Sequence, residues 1–462
     1  MSAPAHTPDV LVIGAGVAGL ACAHDLLAAG LDVQVVEASD AVGGRMRSDR
    51  VGEFVVDRGF QVFNTSYPQV RRRLALRRLG LRPFTPGFLV HTEKGRLRFS
   101  DPTRRPRNLP DLLPGRLAGP RDLAALGLLS ARDMLAPVRL VKRSQDRTTR
   151  TALADAGFSE DFVERFFRPF LSGIFLEDGL ETSSRFFHLV WRSMLRGTLC
   201  LPTAGIGAVP AALAAPLPAG TVRFETPVSA LTDEGAVTAD GTELTAPTVV
   251  VATGPAPGLL PGLELPAYRM VTTYYHVAPR SPLGEPTLVV DERRRFVNTC
   301  VLSDVVPQLA PPGSALVATS VLGTDDDKRE TAVREAMAEV YGTDTAGWDL
   351  LTTRTVPDAL PAMPPPQPLS RTTRVARGRY VCGDHRWALA RWKRRRRKTE
   401  RASIITTGAP RSGPSSPAAR KCGPSWSPNS QWGVAMGRSP QSRPRACLKR
   451  ARPSGSSMIG SG

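Results

Sequence analysis

The stretch DVLVIGAGVAGLACAHDLLAAGLDVQVVEASDAVGGRMRS, Asp9–Ser48, constrains the fold of this chain more than any other. Asp9–Ile13 reads as a short apolar strand, and Gly14-Ala15-Gly16-Val17-Ala18-Gly19 follows at once. Leu20–Ala29 has helical character and closes at Gly30, a C-terminal cap. Val33–Val36 reads as a second strand and ends in Glu37. This is a βαβ unit of about 30 residues with a dinucleotide fingerprint in its proper context. Each residue type has a physical task. Gly14 permits the tight turn, Gly16 lets the backbone approach a pyrophosphate, and Gly19 lets the helix pack closely on the strand. The helix N-terminus presents free N–H groups and positive potential to phosphates. Glu37 suits ribose hydroxyls and disfavours a 2′-phosphate.

Gly43-Gly44-Arg45 begins six residues past Glu37. With this turn the chain resembles the superfamily of FAD-dependent amine oxidases, phytoene desaturases and protoporphyrinogen oxidases, on its desaturase-like branch. The resemblance covers most of residues 8–386 and implies FAD as cofactor. It places Gly14, Ala15, Gly16, Gly19 and Glu37 in the fingerprint, and Gly43, Gly44 and Arg45 over the FAD phosphates and flavin. VDRGFQVFNTSYP (Val56–Pro68) looks like the family segment near the isoalloxazine, with Gly59 and Gln61 as candidate contacts. Val228 matches a position whose backbone meets the adenine. TVVVATG (Thr248–Gly254) looks like the segment beside the cofactor, which singles out Thr253 and Gly254. Gly383 and Asp384, in YVCGD, match a pair that contacts the phosphate–ribityl region. Arg165–Phe187 looks like a substrate-domain signature, and Leu201–Ala214 like the helix that returns the chain to the FAD domain.

The expected fold class is α/β. A discontinuous, Rossmann-like FAD-binding domain takes residues 1–83, 200–262 and 366–386. An α+β substrate domain takes 84–199 and 263–365. Thr221–Glu225 alternates as a strand should, and Asp240-Gly241 reads as a hairpin turn. Arg329–Tyr341 reads as an amphipathic helix with Val333, Met337, Val340 and Tyr341 on its core face.

In a flavoprotein the cofactor carries the hard chemistry, so catalytic side chains are few. Gly205-Ile206-Gly207-Ala208-Val209-Pro210 follows no clear strand and has proline at the third glycine position, so no second nucleotide domain is expected. That makes oxygen or a quinone the expected electron acceptor. Amine-oxidising members of the superfamily usually carry a lysine in a substrate-domain strand. The matching strand here, YRMVTTYYHVAP (Tyr268–Pro279), has Val271 or Thr272 at that place. Tyr275 and His276 are its candidate catalytic residues. The commoner reading of such a histidine is a hydrogen-bonded or exposed strand residue, and His188, on a helical stretch, has the same bland reading. The expected activity is therefore dehydrogenation (desaturation) of an apolar organic substrate, with hydride passing to flavin N5. The alternatives are an amine oxidase of the same superfamily or a catalytically impaired homologue.

The net charge of +19 suggests nucleic acid or an anionic surface as partner, but its distribution argues otherwise. Residues 391–462 hold 17 Lys and Arg against one acid, Glu400, which leaves the body nearly neutral. Nucleic acid is therefore not the expected partner. An apolar small molecule is expected as substrate. Arg71, Arg72, Arg73, Arg77 and Arg78, with the mixed apolar-basic helices around Leu112–Lys142, suit either peripheral membrane contact or a solvated surface. The six cysteines show no C-x-x-C spacing, so no metal site is expected. No basic-then-apolar leader precedes the first strand, so the expected location is cytoplasmic. After Asp384 the chain departs from the family, whose last helix would open with Ser-Ile-x-Gly-Ala. Lys393–Lys398 is basic throughout, and 29 of the last 62 residues are Ser, Gly or Pro. That composition predicts a disordered basic tail at 387–462. Three readings of it stand: a reading-frame shift, a binding extension, or an inert one.

Overall fold

The computed structural model describes residues 7–100, 104, 118–254, 258–260, 262–326, 328–368 and 371–386. The expected disordered tail lies outside them.

The runs VLVI, VQVV and TVVV are β-branched and almost wholly apolar, as strands of a parallel sheet covered on both faces must be. They form its centre. Val10–Ile13 pairs in parallel with Val33–Val36 on one side and Thr248–Val251 on the other, with Val10 opposite both Val33 and Thr248. Val222–Arg223 extends the sheet beyond Val33–Val36, and Arg379–Val381 extends it beyond Thr248–Val251. Arg374–Ala376 closes that edge antiparallel. On one face Val10, Val12, Val33 and Val35 pack against Leu20 and Ala23 of the helix Val17–Leu27, with Val209 and Leu213 of the helix Ala208–Ala214. On the other, Leu11, Ile13, Val249 and Val251 pack against Ala236 and Ala246. These belong to a three-stranded meander whose turn carries Asp240-Gly241 between Gly235–Thr238 and Glu243–Thr245.

The alternating stretch Thr221–Glu225 is a strand only at Val222–Arg223. Glu225 turns to φ +51°, and Thr226 N–H then donates to Glu37 O at 2.9 Å. The bond carries the chain off the sheet, which alternation of side chains cannot reveal.

A second sheet has seven strands in the order Asp349–Pro361, Tyr268–Ala278, Ala315–Leu322, Asn298–Val301, Val289–Asp291, Gly87–Thr92, Gly95–Ser100. One face is covered by the helix Arg329–Tyr341, which buries Val333, Met337, Val340 and Tyr341. Elsewhere Phe88, Phe99 and Val290 meet a helical layer built on Phe158, Phe162, Phe166, Phe167, Phe187 and Trp191. The Phe162 and Phe166 rings stack at 4.7 Å and 9°. Successive residues of a strand point to opposite faces, and the long strand Tyr268–Ala278 uses both. Tyr274 joins the cluster under Arg329–Tyr341, while Tyr275 joins Val56, Leu201 and Cys300. This strand is where the second sheet meets the segments that follow the fingerprint.

Candidate functional site

The fingerprint folds into a cradle at the carboxyl ends of the parallel strands. Gly14 turns at φ +103°, a conformation that favours glycine. A Cβ on Gly19 would stand 1.9 Å from Gly14 O, so helix and turn touch only because that side chain is absent. A Cβ on Gly16 would meet nothing within 4 Å. Gly16 therefore faces open space at the N-terminus of an eleven-residue helix, where the first amides have no intrahelical acceptor. The Gly43-Gly44 turn closes over this point. Gly43 N–H donates to Ala15 O at 3.0 Å, and Gly16 pairs with Gly43 as a parallel bridge. The Glu37 carboxylate accepts from Ala15 N–H at 2.6 Å and from Ser39 Oγ at 2.8 Å, at the tip of its strand. Space, free amides and an acid at the second strand end together fit a dinucleotide pyrophosphate and ribose.

The remaining predicted residues converge from distant segments. Arg45 donates through Nη1 to Asp358 O (3.0 Å) and Ala359 O (2.7 Å), and through Nη2 to Asp384 Oδ2 (2.5 Å). Gln61 Nε2 donates to Arg45 O at 2.9 Å. Arg45, Gln61 and Asp384 are thus one hydrogen-bonded group. Gly59 lies beside Val356, while Phe60 N–H reaches Thr273 Oγ1 at 3.3 Å. Ala252 N–H donates to Ile13 O at 2.8 Å, which sets Thr253 and Gly254 directly after the sheet, next to the Gly14 turn. Cys382 N–H donates to Val251 O at 3.0 Å and brings Gly383 and Asp384 to the same end. The Cys382 thiol rests on Cys22, and that contact together with burial pushes it well above the usual range. Val228 begins the meander strand two residues past Thr226, on the Glu37 side.

The two catalytic candidates are both buried and hydrogen-bonded within the protein. His276 is fully buried on the face under Arg329–Tyr341, with Nε2 2.8 Å from Glu330 Oε1. Burial holds its pKa below the usual value, although Glu330 pulls the other way. It is the hydrogen-bonded strand histidine. Tyr275 faces the other side, but its hydroxyl donates to Asp57 O at 2.8 Å and burial pushes its pKa far up. His188 is likewise engaged, with Nδ1 2.8 Å from Asp133 Oδ2.

Two residues escaped the sequence reading. The Tyr268 hydroxyl is buried without a hydrogen-bond partner. Burial, then the nearby Asp384 carboxylate, push its pKa up to about 12. A tyrosine at a strand start carries no signal of its own; only the pairing of Tyr268 with Pro361 beside Ala359 brings it near Arg45. Asp57 is the second. Its Oδ1 accepts from Ser48 Oγ at 2.6 Å and Ile206 N–H at 2.9 Å, joining the end of the Phe54–Asp57 strand to the turn before Ala208–Ala214. Burial outweighs both bonds and raises its pKa to about 6.

Because that folded value lies above the ordinary 3.8, the native state binds the Asp57 proton more tightly than the unfolded chain does. The proton-linked stability is complete below about pH 4 and is lost as pH rises through about 6, a change on the order of 3 kcal/mol. In Asp57→Asn the amide oxygen keeps both bonds and nothing titrates. Urea unfolding between pH 4 and 7 is expected to show wild type losing stability relative to the variant, and parallel curves would contradict the assignment.

A family model described as "Flavin containing amine oxidoreductase" matches residues 17–388. The chain belongs to this family, and its cofactor is FAD. Its fold is that of an oxidoreductase from Methanosarcina mazei (TM-score 0.62, 17% identity, 82% of this chain and 98% of that one). It is likewise that of cyclohexylamine oxidase from Brevibacterium oxydans (TM-score 0.60, 18% identity, 83% and 95%). Among curated proteins, protoporphyrinogen oxidase 2 of Arabidopsis thaliana is 43% identical over 61 residues, 13% of this chain and 12% of that protein. The lysine-specific histone demethylase 1B of Mus musculus is 48% identical over 60 residues, 13% of this chain and 7% of that protein. The aligned stretches thus cover well under two thirds of these curated relatives.

Proposed function

We propose that this protein dehydrogenates an apolar organic substrate and returns the electrons to oxygen or a quinone. Bound FAD supplies an isoalloxazine that accepts a hydride at N5. The chain's own part is to hold the cofactor and to present a C–H bond in a dry setting. Arg45, locked by Asp384 and two backbone carbonyls, fixes the Gly43-Gly44 turn over the fingerprint.

One observation carries the choice of substrate class. On the long strand, Thr273 receives Phe60 N–H and Tyr275 reaches Asp57 O, so the odd-numbered face is turned toward the flavin-binding segments. Val271 shares that face by alternation. Thr272 turns away and donates to Gly323 O at 2.7 Å. Val271, Thr273 and Tyr275 are buried, both hydroxyls are engaged, and this stretch of the face carries no amine to hold a water. A face without an amine at that place favours an apolar substrate over an amine.

The test is anaerobic reduction of the purified holoprotein, followed as bleaching of its flavin absorption. An apolar polyene or hydroaromatic panel is expected to bleach it, and primary and secondary amines are not. Bleaching by amines alone would replace this reading with amine oxidation.

A further inference from the structure

The helix Pro120–Leu135 packs Leu126 and Leu129 into the core and leaves two other leucines outside it. Its two acids face the protein. Asp122 is 5% exposed and accepts from Ser159 N–H (2.7 Å) and Oγ (2.8 Å); Asp133 is 0% exposed and holds His188. Its leucines at the heptad spacing 128 and 135 face outward, 69% and 80% exposed. Positions 121, 124, 128, 131, 132 and 135 share one helical face, and they read Arg, Ala, Leu, Ala, Arg, Leu. Ala136-Pro137 then leads into the short helix Val138–Arg143, where Leu140 is 56% exposed and Arg139, Lys142 and Arg143 are exposed around it. Between residues 120 and 143 every exposed charge is positive, because the only two acids are buried.

From this juxtaposition we propose that the outward face of Pro120–Leu135 and Val138–Arg143 docks the protein on an anionic lipid bilayer. Leucines projecting between cations are the composition of an interfacial helix: aliphatic side chains enter the acyl boundary while guanidinium and ammonium groups meet anionic headgroups. No helix among the described residues is long and apolar enough to cross a membrane, so the contact is peripheral. Charge selects this occupant over a second copy of the chain. A two-fold contact through this face would set its five cations against the same five, with no exposed acid to answer them. The inference goes beyond the proposed reaction and does not depend on it.

The test uses the full chain, because the 17 basic residues of 391–462 also attract anionic vesicles. The deciding variant is Leu135→Trp, a swap of one exposed apolar side chain for another. Its added emission is expected to shift to the blue and to be quenched by brominated acyl chains in vesicles of phosphatidylcholine and phosphatidylglycerol. The double variant Leu128→Ser/Leu135→Ser is expected to partition onto the same vesicles at least about ten-fold less, with unchanged flavin content. Added emission that brominated lipid leaves untouched overturns the proposal, whatever the tail does. A wild-type dimer in light scattering that the serine pair dissociates, again without quenching, overturns it in favour of a second copy.

Discussion

Gly19→Ala is expected to yield a protein that no longer carries flavin. The new methyl would lie 1.9 Å from Gly14 O and 3.3 Å from Ala252 Cβ, whereas real Cβ atoms essentially never come within 3.0 Å of a neighbour. The obstacle is backbone on a turn at φ +103°, not the end of a pliable side chain. Helix and turn must therefore separate, at an overpacking cost of about 1–3 kcal/mol or more. The same movement withdraws the helix N-terminus from the phosphates. Absorbance after gel filtration and the urea midpoint read the two effects separately. Gly16→Ala is the control: its methyl enters open space, so the fold should keep its midpoint while the cofactor alone is obstructed. A yellow Gly19→Ala protein with an unchanged midpoint would refute this account.

Phe166→Ala is expected to cost the second sheet and its helical layer about 3–5 kcal/mol. The ring is fully buried, stacked on Phe162 and edge-on to Phe99 at 4.6 Å and Phe167 at 5.0 Å. Those partners come from a strand and from two turns of one helical stretch, so the void cannot close by moving a single element. Phe166→Leu, which keeps most of the volume, should recover a large share. Urea unfolding followed by near-ultraviolet circular dichroism measures both. A loss under about 1 kcal/mol for alanine would mean that the cluster relaxes far more than packed cores usually do.

The central parallel strands were legible because full burial leaves an unbroken β-branched run, and the fingerprint because glycine alone meets its steric demands. Arg45 and Asp384 stand 339 positions apart, and only likeness to a family put them on one cofactor; the hydrogen bond between them is a fact of three dimensions. Periodicity announces that one side of an element is buried without saying what buries it. Hence His276 and Tyr275, neighbours on one strand, had equal standing in the sequence, yet one meets Glu330 and the other meets Asp57 O. The same gap hid the two buried acids of the helix Pro120–Leu135. Asp122 and Asp133 are satisfied by Ser159 and His188, residues 37 and 55 positions away. Tyr268 was invisible for a related reason, since its environment is made wholly by other segments.

The braiding of the first sheet has a consequence for how the molecule is made. Its middle strand, Val10–Ile13, is synthesised well before two of the strands on one side of it. Its neighbour Thr248–Val251 comes 235 residues after Ile13, and Arg379–Val381, one strand further out, 366 after it. At synthesis rates of about 5–20 residues per second the first of these gaps lasts roughly 10–50 s. Throughout it Val10–Ile13 carries an unpaired, fully apolar strand edge. Such an edge invites aggregation, so the yield of this protein should depend on holding chaperones more than on the stability it finally reaches.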